Sequence, residues 1–589
     1  MLDLQTVNNV FEIMSSRGDE TVALEKISSS EWKPVSSQQM YGRVRAVVAL
    51  LQSWGIKRGD RVALVSENRW EWAAVDFAVL AIGAVDVPLY QTLTPEQMGF
   101  ILKDAGCKAI FLSSKQQYAK LTAAGDIPTL EKVSVFDDGD FPGTESFSEV
   151  MKNAPALEAP DAAFDAMVKE TTPEELATIV YTSGTTGDPK GVMLTHKNLA
   201  ENMRFSTDGL RIEPGYKSIS FLPLSHALAR HLDYAIYANK AVIAYLPKFD
   251  DLSGAMKAVK PECFIAVPRV FEKVRQAIEH KSQGFKKKIM IWAMGQGKKH
   301  RAELAAGKQP TALGYKLADK LVFSKIREAF GGNVKFFVSG GAPLGMPSSE
   351  WFLDMGIRIF EGYGLTETSP VISRNTFDGY RIGTVGMMIP NIEVRLAEDG
   401  ELEARGTSVF AGYWQKEDAT KSEFTADGWF KTGDIGKIED GFLSITDRKK
   451  ELLKTSGGKY IAPQPIEGKL KADALVGNAA VIGDTRKFAS VLISPNFQAL
   501  ERWAAQNGVA TRDHKELVKD PKVKKRYEEI VKQVNTGLEH HETIKRVGVV
   551  EEEWNIDSGE LTPTMKLKRR VITEKYKKTI EAFYGGGDE

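Results

Sequence analysis

Residues 177–192 read ATIVYTSGTTGDPKGV. The apolar run Ala177–Tyr181 (ATIVY) reads as a buried strand, and it runs directly into a loop of glycine, serine, threonine and one lysine. Glycines at 184, 187 and 191 let backbone N–H groups approach anionic oxygens closely. Neighbouring hydroxyls add donors and Lys190 adds positive charge. The loop is not of the GxxxxGK[ST] type, because Gly191 follows Lys190. A surface loop rich in small residues would have the same composition, so the meaning of the stretch depends on what surrounds it.

Working outward, the same strand-then-loop rhythm recurs. Arg61–Val65 (RVALV) predicts a strand, Trp70–Ile82 a helix, and Val85–Leu89 a further extended piece. Thr94 is placed to cap a helix over Pro95–Asp104, and Lys108–Leu112 (KAIFL) predicts another strand. Further on, Lys335–Val338 (KFFV) ends in Ser339-Gly340-Gly341, and Ile357–Phe360 (IRIF) ends in Glu361-Gly362-Tyr363-Gly364. Alternating strands and helices imply parallel α/β layers. Ligands of such sheets gather beyond the carboxyl ends of the strands, so three glycine-bearing loops meeting in one crevice would make a nucleotide pocket.

Short β-like pieces follow at Ile392–Leu396, Glu401–Ala404 and Phe442–Ile445, giving a β-rich part. A boundary is expected at Asp447–Lys450 (DRKK). The expectation is an α/β N-terminal domain over 1–448, built from several subdomains, and a small α+β C-terminal domain over 449–589. The latter would hold strands at Ala479–Ile482 and Ser490–Ser494 and one long charged helical stretch, Lys515–Glu542.

Lys plus Arg equals Asp plus Glu, 78 against 78, so no general attraction to nucleic acid is implied. Two cysteines, Cys107 and Cys263, argue against a disulfide framework or a cysteine zinc site. The chain start lacks a basic segment followed by a long apolar run, and no apolar stretch is long enough to span a bilayer. A cytoplasmic protein is expected, with peripheral contact at the inner face of the membrane left open, as is the choice between monomer and homodimer.

YTSGTTGDPKGV resembles the signature of the AMP-forming adenylating enzymes, namely acyl-CoA synthetases, luciferases and peptide-synthetase adenylation domains. Other motifs of that superfamily follow in order: SGGAPL at 339–344, EGYGLTE at 361–367, WFKTGD at 429–434, DRKKE at 447–451 and LTPTMKLKR at 561–569. The resemblance covers nearly the whole chain and implies ATP and CoA as co-substrates and Mg²⁺ as cofactor. It further implies that Thr182, Ser183, Gly184, Thr185, Thr186 and Lys190 hold phosphates. Gly341, Ala342, Pro343, Glu361, Gly362, Tyr363, Gly364 and Thr366 would hold adenine. Asp434 would accept from the ribose hydroxyls, with Arg448 reaching ribose or phosphate. Glu367 would ligate Mg²⁺, with Thr182 as a second ligand. Lys566 would be the adenylation lysine, although this chain has Thr564-Met565 where the family commonly has Ser-Gly. His226, in LPLSHALAR, would lie near the acyl carboxylate. Lys450 would sit at a hinge, about which the small domain rotates to bring Gly457 and Gly458 of KTSGGK (454–459) to a CoA channel.

A long insertion between Arg269 and Lys335 resembles that of the long-chain fatty acyl-CoA synthetases. Within it Phe285, Ile289 and Trp292 fall at helical spacing beside Lys286–Lys288, a pattern shared by membrane-surface helices and by helices packed on a core with a solvated lysine face. The expected reaction is fatty acid plus ATP to acyl-AMP plus pyrophosphate, then transfer to CoA. The alternatives are an acyl-AMP ligase serving a carrier protein, a luciferase-type oxygenase, and a non-catalytic nucleotide-binding regulator.

Overall fold

The computed structural model describes residues 2–28, 30–182, 188–456, 459–555, 557–562 and 566–585, without the side chains of His280 and Lys281. Two large sheets dominate the N-terminal part. In the first, Arg61–Val65 pairs in parallel with Val85–Leu89 on one side and Ala109–Leu112 on the other. Val62, Ala63, Leu64 and Val65 are wholly buried, which is why this strand is a continuous apolar run rather than an alternating one. The Thr94 hydroxyl accepts from the Gln97 N–H while the Gln97 side chain accepts from the Thr94 N–H. The helix so capped, Pro95–Ala105, stops at Gly106 in the left-handed region. Leu176–Thr182 joins the same sheet and folds back antiparallel on Lys190–Thr195, with Thr182 opposite Lys190. Residues 183–187, the body of the phosphate-loop motif, lie outside the described residues.

The second sheet has a parallel centre containing Cys263–Ala266, Phe336–Ser339 and Ile359–Gly364. Ser339 lies opposite Glu361, so the loops after both strands emerge side by side. From Gly362 onward the sheet continues antiparallel through Val371–Arg374, Phe430–Glu439 and Phe442–Arg448, the β-rich part. A buried ionic cluster ties the two sheets. Arg230, on helix Ala227–Ala238, pairs with Asp76, reaches Asp86 at 3.1 Å and donates to the Thr178 hydroxyl at 2.8 Å.

The C-terminal part has its own sheet, Val476–Ile482, Ala489–Pro495 and Ile544–Val549, and its own core around Leu470, Val491, Leu500 and Tyr527. The charged stretch 515–542 is not one helix. It divides into His514–Leu517 and Pro521–Asn535, because Pro521 has no N–H to continue the first. Asp520 caps the second, accepting from the Lys522 N–H at 2.8 Å.

Candidate active site

A cavity of about 920 Å³ opens where the strands of both sheets end and the C-terminal part begins. Its polar lining comes from Thr182, Lys190, Gly341, Gly362–Glu367, Arg448–Glu451 and Lys566. Helix Ala227–Ala238 supplies much of its apolar lining through Leu228, Leu232, Ala235 and Ile236. Their three- and four-residue spacing puts them on one helix face, and Arg230 anchors the helix to the other sheet. Ile212, Ile265, Phe336, Val338 and Phe360 extend the apolar wall.

Asp434 is 4% exposed at the cavity edge. The Tyr363 hydroxyl donates to one of its oxygens at 2.7 Å, and the Arg448 guanidinium lies 3.3 Å from the other. Burial raises its pKa, while Arg448 and the Tyr363 hydrogen bond oppose the rise. The carboxylate is thus held in place behind Tyr363 and Arg448, one contact on each oxygen.

Glu367 follows the tight loop at Gly364. A Cβ on Gly364 would lie 1.7 Å from the Pro370 carbonyl oxygen, so only glycine fits there. The Tyr413 hydroxyl donates to Glu367 at 3.0 Å, and Glu423 lies close enough to raise its pKa further beyond the effect of burial. Among the described residues no lysine or arginine pairs with Glu367, whereas Glu423 lies 3.4 Å from Lys190. Lys190 also stands 4.7 Å from the centre of the Tyr413 ring. No cluster of three or more metal-ligating side chains occurs among the described residues. Magnesium is commonly held by one or two carboxylates together with substrate phosphates, and Glu367, half-buried on the cavity wall with no lysine or arginine paired to it among the described residues, fits that donor set.

His226 caps helix Ala227–Ala238, its Nδ1 accepting from the Leu228 N–H at 3.1 Å. The proton of the neutral ring is therefore on Nε2. Burial and the nearby Lys566 push its pKa down to about 4, so the ring is neutral at ordinary pH. Lys566 lines the cavity and stays exposed to it. Partial desolvation there and Arg448 lower its pKa, while Asp434, Glu451 and Glu367 favour its charged form. Its loop is closed by two hydrogen bonds with Thr562, at 3.0 and 2.8 Å. Three residues on, Arg569 forks onto Glu467 at 2.7 and 2.9 Å and touches Glu451 at 3.3 Å, fixing the loop to helix Pro463–Lys471.

The cavity thus brings together Thr182, Lys190, His226, Gly341, Gly362, Tyr363, Gly364, Thr366, Glu367, Arg448, Lys450 and Lys566, with Asp434 behind Tyr363 and Arg448. Ala342, Pro343 and Glu361 do not line it. The Glu361 carboxylate instead turns back to accept from the Leu344 N–H and the Ser349 hydroxyl, both at 3.2 Å, and burial pushes its pKa up to about 7. It holds the shape of the 339–344 loop. Ser183, Gly184, Thr185 and Thr186 lie outside the described residues, as do Gly457 and Gly458. The flanks of the latter pair, Lys454 and Tyr460, are exposed and away from the cavity. Sequence reasoning missed Tyr413, Glu423 and Glu467, none of which sits in a motif with a recognisable pattern; Arg569 closes the 561–569 motif, but its partner lies 102 residues away.

The chain belongs to the AMP-binding enzyme family, whose domain matches residues 12–414, and residues 450–588 match the AMP-binding enzyme C-terminal domain. It is 37% identical over 576 residues to the long-chain-fatty-acid–CoA ligase FadD15 of Mycobacterium bovis, covering 96% of this chain and 94% of that one. It is 31% identical to the human long-chain-fatty-acid–CoA ligase ACSBG1, covering 98% and 85%. Among solved structures, the adenylation domain of a carboxylate reductase from Mycobacterium chelonae superposes with a TM-score of 0.78 at 23% identity, covering 99% of this chain and 91% of that one. That likeness establishes the fold.

Proposed function

We propose that this enzyme is a long-chain fatty acid–CoA ligase that uses ATP and Mg²⁺ to form an acyl-AMP and then passes the acyl group to CoA. The observation that carries the reading is the meeting of Lys566 and His226 with the apolar face of helix Ala227–Ala238 in one cavity. Asp434, with Tyr363 and Arg448, holds the ribose. Lys190 holds phosphate, and Glu367 and Thr182 would hold Mg²⁺, which when bound offsets phosphate charge. Lys566 lies between the incoming carboxylate and the α-phosphate and stabilises the charge that develops there. The neutral His226 donates from Nε2 to a carboxylate oxygen and so orients it. The apolar wall takes the acyl chain, each buried CH₂ contributing about 0.8 kcal/mol.

All of these groups come from one chain, so the chemistry needs no second subunit. The proposed location is the cytoplasm, with contact at the inner membrane face. Rotation about Arg448–Lys450 then exchanges Lys566 for the 454–459 loop before CoA attacks. The test is pyrophosphate release with ATP, Mg²⁺ and a panel of fatty acids, with and without CoA, with Lys566→Ala as control. Long-chain acids should drive release with CoA consumed, and the variant should be silent. Release without CoA consumption would transfer the reading to an acyl-AMP ligase serving a carrier protein.

A further inference from the structure

The insertion folds into helix Phe285–Lys299 and helix Leu313–Ala318, the latter continued by the wider turn Asp319–Phe323. One side of the first helix is core: Met290, Ala293 and Gly297 are buried, and a Cβ on Gly297 would lie 2.0 Å from the Asp354 carbonyl oxygen. The outer side is not polar. Phe285 is 77% exposed and Leu313 85%, with Ile291, Trp292, Leu317 and Leu321 exposed as well. Six of the thirteen large hydrophobic side chains exposed among the described residues fall within these 37 positions. The helices meet where Gln296 packs on Gly314. Phe285 and Trp292 share the helix face of Gln296, and Leu313, Leu317 and Leu321 repeat every four residues beside Gly314. The two apolar stripes therefore adjoin.

Lysines fringe this surface. Lys286, Lys287 and Lys288 flank the first stripe, and Lys316 and Lys320 the second, all exposed. None of the five forms an ion pair with a carboxylate in the described residues, although the chain as a whole carries equal numbers of acids and bases. An apolar crest with an unpaired basic fringe matches a surface that is apolar inside and anionic at its edge. A two-fold contact with a second copy would set the lysine fringe against itself.

We propose that these two helices dock the enzyme on an anionic lipid bilayer, with the six apolar side chains in the interface and the lysines on acidic headgroups. The inference concerns the surface alone and stands whichever thiol accepts the acyl group. The experiment is flotation of the full chain with vesicles of phosphatidylcholine, alone or mixed with phosphatidylglycerol. Wild type should float with the mixed vesicles only, and added salt should release it. Replacing Lys286, Lys287 and Lys288 together by Gln should weaken partitioning on the order of a hundredfold. Phe285→Ser with Leu313→Ser, both too exposed to matter for folding, should abolish flotation even at low salt. Both variants should keep the wild-type melting temperature and wild-type pyrophosphate release in vesicle-free solution. Absence of flotation, or equal flotation of wild type and both variants, would overturn the proposal. So would a dimer in sedimentation that these substitutions dissociate, which would make the occupant a second copy.

Discussion

Two side chains show how burial sets protonation in this fold. His226 has its pKa pushed down to about 4, against about 6.5 in an unfolded chain. Its contribution to stability is complete above pH 6.5 and is lost as pH falls through 4. Pyrophosphate release should accordingly show no histidine inflection between pH 5.5 and 8, and a break near 6.5 that His226→Asn removes would refute a neutral ring. Asp86 goes the other way. It shares Arg230 with Asp76, is wholly buried, and is pushed up to about 8. A carboxyl raised in the folded state binds its proton more tightly there, so stability is lost as pH rises from about 4 to 8. Asp86→Asn keeps the protonated shape. Its stability relative to wild type, from urea unfolding at pH 5 and pH 8, should shift in the variant's favour at the higher pH.

At the scale of elements, the loop that carries Lys566 depends on the ion pair of Arg569 with Glu467, whose side chains are 19% and 5% exposed. Removing one partner of such a pair costs about 3–5 kcal/mol, because the other is left buried and uncompensated. Arg569→Ala should lower C-terminal stability by about that amount in urea unfolding and slow pyrophosphate release. Arg569→Lys should not rescue it, since lysine cannot fork onto both carboxylate oxygens. This pairing spans 102 residues and leaves no local pattern, so it was illegible in the sequence. The local devices were legible. The strand Arg61–Val65 has the bounds its apolar run predicts, and the Thr94 cap is in place. The single helix expected over 515–542 ignored Asp520-Pro521, a start signal strong enough to divide it. The direction of Glu361 was hidden because its partners, Leu344 and Ser349, come from another loop and helix.

For the whole molecule, what matters is which C-terminal segment faces the cavity. Lys566 lines it, while Lys454 and Tyr460, which flank the 454–459 loop, stay exposed elsewhere. Both belong to the region that matches the C-terminal domain, packed against opposite faces of its one sheet and joined to the rest through Arg448–Lys450, so a rotation of that body that brings the second segment in carries the first out. Lys566 would then act in acyl-AMP formation alone. Lys566→Ala should lose at least a hundredfold in pyrophosphate release, in line with removal of a group that stabilises charge in the transition state. The same variant, given chemically made acyl-AMP and CoA, should form thioester within a few-fold of the wild-type rate. An equal collapse of both half-reactions would mean that Lys566 remains in the cavity throughout, and that the domain does not exchange its two faces between them.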